Sequence, residues 1–148
     1  MSKNFSSTKR AYLAGFLDGD GSIYVRLKPN PTYRYGFQVA PYIVLFQSQK
    51  DRVNFEKICS LIKIGHLRER KDGILEYIID KKDAIAEFLK IIKPYAILKK
   101  KQVALMIKIL DKKARIRNQS DFNQLAQLVD KFRELNYSKK RKRHGLTP

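Results

Sequence analysis

The stretch Leu13-Ala14-Gly15-Phe16-Leu17-Asp18-Gly19-Asp20-Gly21 begins as an apolar helix and ends on two acids set among glycines. The C-terminal end of a helix carries partial negative charge, which disfavours a carboxylate there by about 0.3–1 kcal/mol. The last carbonyls of a helix are also unpaired. Carboxylate and carbonyl oxygens together are the donors a hard divalent cation takes, and such a cation would reverse the local electrostatics. Gly15 and Gly19 lie four apart on one helix face, where small residues admit a second helix at close range. Packing within the same chain would use the same spacing.

An EF-hand calcium loop is a competing reading of Asp18-Gly19-Asp20-Gly21. It fails on spacing, because Ile23 stands where that loop needs glycine and Pro29 where it needs glutamate.

Beyond this stretch, charge is the strongest signal. The chain has 148 residues, with 32 Lys and Arg against 14 Asp and Glu, a net charge of +18. The run Lys139-Lys140-Arg141-Lys142-Arg143 supplies under a third of that excess, so the body of the chain is itself basic. A polyanion partner follows, nucleic acid rather than membrane, because no basic helix with an exposed apolar face stands out. With 43% apolar residues the chain can bury a core. No apolar run reaches membrane-spanning length, and no signal-peptide core follows the first residues, MSKNFSSTKR. The lone Cys59 reads as a small core hydrophobe and points to an intracellular, reducing compartment.

Periodicity gives the element order α-β-β-α-β-β-α-α-α. A first helix, capped by Ser6, Ser7 or Thr8, runs to about Gly19 or Gly21, with Tyr12, Phe16 and Leu17 packing inward. Ser22 to Lys28 alternates cleanly, with Ile23, Val25 and Leu27 on one face and Ser22, Tyr24, Arg26 and Lys28 on the other. A turn at Pro29-Asn30-Pro31-Thr32 leads to a long strand from Tyr35 to Gln47, which Pro41 marks as an edge or a bulge. Phe55, Ile58, Cys59 and Ile62 predict a helix over 50–63. Strand-like runs at 66–70 and 75–79 flank the hairpin turn Lys71-Asp72-Gly73. A helix around Ile85 to Ile92 stops at Pro94, one through Val103 to Leu110 follows, and a last one after the cap Ser120 runs through Phe132. Residues 1–138 form one domain, and 139–148 a basic tail that is mobile until it binds.

LAGFLDGDG resembles the defining motif of the LAGLIDADG homing endonucleases, and Ser22-Ile23-Tyr24-Val25-Arg26 is similar to the strand that follows it there. The order of elements resembles that family to about Ser138, closest to small single-motif members encoded in group I introns of algal organelles. The resemblance implies an α+β fold, αββαββα, with an antiparallel, saddle-shaped DNA-binding sheet backed by helices. It implies two motif helices crossing at a two-fold axis. With one motif in this chain, that means a homodimer through Gly15 and Gly19 and a near-palindromic double-stranded DNA target. Phosphodiester hydrolysis with short 3′ overhangs and intron mobility are the implied activity and purpose. Chloroplast or mitochondrion, otherwise cytoplasm, is the implied location. No membrane and no small-molecule substrate are expected.

By the same resemblance, Asp20 is the catalytic metal ligand with the Gly19 carbonyl beside it, and the metal is Mg²⁺. Mn²⁺ would substitute, and Ca²⁺ would bind without supporting cleavage. Asp18 matches the earlier acid of the motif and is read as structural. Gln47 corresponds to the residue that positions the water, unless a bulge at Pro41 hands that part to Gln49. Lys99 corresponds to the active-site lysine, although Lys100 and Lys101 blur the register. The family's arginine after the glutamine has no counterpart in Lys50-Asp51-Arg52, where Lys50 or Arg52 could serve.

Base reading is expected from Tyr24, Arg26, Lys28, Gln38, His66, Arg68, Arg70 and Glu76, extended by Asn30, Tyr33 and Arg34 in the turn. Arginine pairs with guanine, glutamine with adenine, and glutamate accepts from cytosine. Arg68, Arg70 and Glu76 could equally form a cross-strand ion pair on a solvated sheet. Ser138, Lys139 and the run after them would hold phosphates without reading sequence. His66 and His144 lack the spacing of a zinc site. A non-cleaving RNA maturase on the same fold is the alternative function, and a basic ribosome-type RNA binder leaves the motif unexplained.

Overall fold

The computed structural model describes residues 5–136. Helix α1 spans Ser7–Asp20, and the Ser6 hydroxyl caps it by accepting from the Lys9 amide at 3.2 Å. Leu13, Ala14 and Leu17 face the core, and Phe16 is half-buried, its ring stacked on Phe55 at 5.9 Å. Tyr12 does not pack inward as the sequence suggests; it is half exposed.

The chain passes from helix to strand with no loop. Gly21 donates its amide to the Leu17 carbonyl and then continues in extended conformation. A side chain on Gly21 would place its Cβ 2.9 Å from Leu17 Cα and 3.0 Å from Leu17 O, so this position is closed to any residue but glycine. Strand β1, Gly21–Pro29, therefore starts directly at the acidic end of α1.

Strand β2 is Phe37–Ser48, joined to β1 by residues 30–36. In that turn Asn30 Oδ1 accepts from both the amide (3.1 Å) and the hydroxyl (2.6 Å) of Thr32, and Gly36 takes a positive φ of 81°. A 3₁₀ turn, Gln49–Asp51, leads into helix α2, Arg52–Ile62, so the single helix expected over 50–63 is divided. Strands β3, His66–Glu69, and β4, Ile74–Ile79, form the expected hairpin, with Gly73 at φ 84° in its turn. Helix α3, Lys82–Ile92, ends just before Pro94; α4, Lys100–Ala114, and α5, Gln119–Asn136, complete the order. The cap of α5 is Asn118, whose Oδ1 accepts from the Asp121 amide at 2.8 Å, and not Ser120, which lies inside the helix.

The four strands form one antiparallel open sheet in the order β1-β2-β4-β3. Pro41 pairs with Val25 in an unbroken register, so no bulge occurs. Pairing of β2 with β4 begins only at Ile43, so at Pro41 the strand is an edge on that side and needs no amide there. Ile23, Val25, Val39, Ile43, Leu45, Leu75, Tyr77 and Ile79 point to the helices and join a core with Phe55, Phe88, Met106 and Phe132. The alternate residues form a second face on which no helix of the core packs. Asn136 at the end of α5 donates to the Ile23 carbonyl and accepts from Gln102, tying α5 and α4 to the first strand.

Because the neighbour of the missing Cβ is backbone as well as side chain, Gly21→Ala forces α1 and β1 apart. It is expected to destabilise the protein by about 1–3 kcal/mol, the usual cost of overpacking, as read from the midpoint of chemical denaturation.

Candidate active site and nucleic-acid face

Asp18 and Asp20, two residues apart at the end of one helix, have opposite surroundings. The Asp18 carboxylate accepts three backbone amides, from Ile97 (2.8 Å), Leu98 (3.0 Å) and Lys99 (3.1 Å). Lys99 Nζ in turn donates to the Asp18 carbonyl at 2.9 Å. An acid at a helix C-terminus is thus compensated twice, by a cradle of amides and by an ammonium on the unpaired carbonyl. Partial burial works to raise the Asp18 pKa, but the three amides and the Lys99 charge outweigh it, and the carboxyl is held below its ordinary value. Asp18 is structural, as expected: it holds the chain in front of α4 and sets Lys99 in place. Of Lys99, Lys100 and Lys101, Lys99 is the one turned to the end of α1.

Asp20 has none of this. It is exposed, and among the described residues no hydrogen bond or ion pair engages its carboxylate. Gly15 and Gly19 are exposed too, and a Cβ built on either would meet nothing within 4 Å. Packing within the monomer therefore does not explain the two glycines. No group of three or more His, Cys, Asp or Glu side chains fit to hold a metal is found among the described residues. Asp20 and the Gly19 carbonyl are the right oxygen donors for a hard cation, but two donors are fewer than such an ion takes.

Gln47 is two residues past Leu45, the last residue of β2 paired to β1, and so lies off the strand end where α1 arrives. Its Oε1 accepts from the Ser48 amide at 2.9 Å. Gln49 is turned to the hairpin instead, its amide donating to Gly73 O at 2.9 Å and its side chain lying against Gly73. With no bulge at Pro41, the reason to prefer Gln49 is gone. Arg52 is engaged by Glu56 (3.3 Å) and Glu69, which leaves Lys50 as the uncommitted cation of that pair. Cys59 is buried, and burial pushes its thiol up to about 11, outside any nucleophilic chemistry.

The register brings most of the expected base-reading residues to the open sheet face. Tyr24, Arg26, Lys28 and Gln38 share it through β1 and β2, and His66, Arg68 and Glu76 through β3 and β4. Tyr24 stacks on Tyr42 at 4.9 Å, and the Arg26 guanidinium sits 5.6 Å over the Tyr42 ring. Arg70 departs from expectation in lying one residue past β3, where it pairs with Asp72 (2.6 Å) and Glu76 (3.9 Å). Arg68 reaches Glu76 at 3.7 Å, so the cross-strand ion pair is present in the free protein. Asn30 spends its carboxamide oxygen inside the turn, while Tyr33 and Arg34 are exposed. Ser138, Lys139 and the basic run lie outside the described residues.

Sequence reasoning missed Tyr42, Val44 and Phe46 on this face, because Pro41 left the facing of β2 undecided, and it did not place Ile78 of β4 there. It also missed Arg10, which donates to the carbonyls of Ile91 (2.9 Å) and Lys90 (3.2 Å) and fastens α1 to the end of α3.

A carboxylate-tipped helix with an open glycine face, beside a sheet whose free face carries Arg26, Lys28 and Arg68, defines an α+β module with two separate unsatisfied surfaces. The LAGLIDADG endonuclease family model matches residues 13–109, and the chain belongs to that family. It is 32% identical over 143 residues to DNA endonuclease I-CreI of Chlamydomonas reinhardtii, covering 96% of this chain and 87% of that protein. DNA endonuclease I-CvuI of Chlorella vulgaris is 31% identical over 133 residues, 90% of this chain and 83% of the relative. The crystal structure of I-CvuI in complex with its target in the presence of Ca superposes with TM-score 0.82 at 30% identity, covering 90% of this chain and 85% of that one. These relatives are single-motif homing endonucleases, and their fold is the one found here.

Because its folded pKa is lowered, Asp18 stabilises the protein fully above its ordinary value of 3.8, and the contribution is lost as pH falls through the folded value. Asp18→Asn is expected to cost about 1 kcal/mol at neutral pH, the scale of a lost cap. The gap to wild type should close in acid. Denaturation midpoints from pH 7 to pH 2.5 check this; a gap that widens in acid contradicts the assignment.

Proposed function

We propose that this chain is a homodimeric, divalent-metal-dependent, site-specific DNA endonuclease that cuts both strands of a long, near-palindromic target and promotes the mobility of a host intron. The observation that carries this is the exposed, uncompensated Asp20 at the tip of a helix whose glycine face is empty. A second copy crossing at Gly15 and Gly19 would bring a second Asp20 and Gly19 carbonyl beside the first, completing a set of hard oxygen donors that one chain supplies only by half. Mg²⁺ fits such a set, and Mn²⁺ or Ca²⁺ would enter it by the same chemistry. Bound there, the cation would neutralise the charge that develops on the scissile phosphate and its leaving oxygen.

The residues around it have separable tasks. Lys99, fixed by Asp18, holds a positive charge at the end of α1 for the phosphate. Gln47, with its oxygen occupied by the Ser48 amide, keeps its amide hydrogens for the attacking water. The open sheet face would lie in the major groove, with Arg26, Lys28, Gln38, Arg68, Arg70 and Glu76 reading bases and Tyr33 extending the contact from the turn. Residues 1–138 would act as one domain, and Ser138, Lys139 and the run that follows would hold phosphates. An algal organelle is the location this reading implies.

Asp20→Asn is expected to abolish cleavage in Mg²⁺ while leaving affinity for the same duplex within about threefold, since it removes a donor to the metal and no phosphate contact. Cleavage and gel-shift assays on one target check it; a mutant that cuts at wild-type rate overturns the role.

Gly19→Leu fills the face that a second copy needs. Sedimentation is expected to shift from dimer toward monomer by at least tenfold in dissociation constant, with the circular dichroism of the fold retained. A wild-type chain that stays monomeric at the concentrations where it binds DNA contradicts the symmetric arrangement.

A further inference from the structure

Outward from Asp20, the open sheet face changes its chemistry. In the first rows Val44 stands between Ser22 and Ile78, Phe46 lies opposite Glu76, and Ile74 lies opposite Ser48. The next row is the Tyr24–Tyr42 stack. Beyond it Arg26 lies opposite Ala40 and Lys28 opposite Gln38, so the outer rows of β1 and β2 are polar, whereas the inner rows mix apolar side chains with Ser22, Ser48 and Glu76. Val44 is only 3% exposed and offers this face almost nothing, whereas Phe46 and Ile78 are half-buried and reach it.

Phe46 and Ile78 have neither donor nor acceptor to offer a base edge. The one apolar group that a base pair presents in the major groove is the C5-methyl of thymine. Cations border the patch at Arg68 on one side and Arg26 on the other, which suits a polyanion and no apolar partner. Resting on the endonuclease reading above, we propose that Phe46 and Ile78 select thymine by its methyl group at the half-site positions nearest the cleavage centre. Hydrogen-bonded reading falls instead to the outer rows of β1 and β2 and to the Arg68–Glu76 pair.

The test begins with selection of bound duplexes from a randomised double-stranded library by the full chain in magnesium-free buffer. Each thymidine of the selected target is then replaced singly by deoxyuridine, which removes the methyl and keeps the base pair. The expected result is thymine at inner positions and about a fourfold loss of affinity for each inner methyl removed, with under twofold at outer positions. Ile78→Thr, which puts a hydroxyl on the patch, should erase the thymine-over-uracil preference at one inner position while outer preferences persist. A selected target without inner thymines, or one whose inner thymines tolerate uracil, overturns the proposal, and the uracil series on the wild-type chain decides this even if the variant fails to fold. Selection that enriches no sequence at all is a different result: it overturns the endonuclease reading itself.

Discussion

Three backbone amides converging on the Asp18 carboxylate hold this structure in the shape that matters. They come from Ile97, Leu98 and Lys99, nearly eighty residues away in sequence, and they stop the chain between α3 and α4 at one place against the end of α1. From that point the constraint spreads. Lys99 opens α4; Gln102 on its first turn meets Asn136 at the end of α5; and Asn136 reaches back to Ile23 in β1. Arg10 secures the other end of α1 to the last carbonyls of α3. The helix that carries Asp20 is therefore fixed at both ends, and the strand that leaves it inherits its direction through Gly21.

Against that rigidity, Gly15 and Gly19 are conspicuous losses. Each glycine inside a helix costs about 0.8–1 kcal/mol relative to alanine. Within the monomer neither returns anything, for an alanine methyl would fit at both positions without touching another atom. A chain that can accommodate alanine yet keeps glycine at two positions on one face is shaped for something outside the monomer. A helix approaching at backbone distance is the partner that tolerates no Cβ. The half-complete donor set of Asp20 and Gly19 points to the same place, so the proposed second copy answers a steric and an electrostatic deficit together.

Much of this could be read before the structure. Period-3.6 and period-2 patterns located every helix and strand to within a few residues, because each element buries one face and the pattern is that burial. The motif placed Asp20, Gln47 and Lys99 near one helix end. What stayed hidden depends on contacts between distant segments. Asp18 as a cradle for amides 97–99, Arg10 on α3, and Asn136 on β1 have no local signature. Pro41 left the facing of β2 open for a related reason: proline forbids an amide hydrogen bond on one side only, and the sequence does not say that pairing with β4 begins two residues later. Arg52 was equally opaque, since its engagement with Glu69 joins a helix to a strand across a loop.

The ion pairs on the open face bear on how such a surface could discriminate. Arg68 and Arg70 share Glu76, and Arg70 also holds Asp72. Arg70 and Asp72 are well exposed, and a pair of that kind contributes about 0–1 kcal/mol, whereas the Glu76 side chain is only 14% exposed. A bidentate arginine on guanine discriminates by about 1–3 kcal/mol. Opening the Arg70–Asp72 pair therefore costs less than such a contact would return. On the proposed DNA-reading role of this face, a wrong base would gain nothing to offset the opened pair, so acids that look like a loss of positive charge would sharpen its choice.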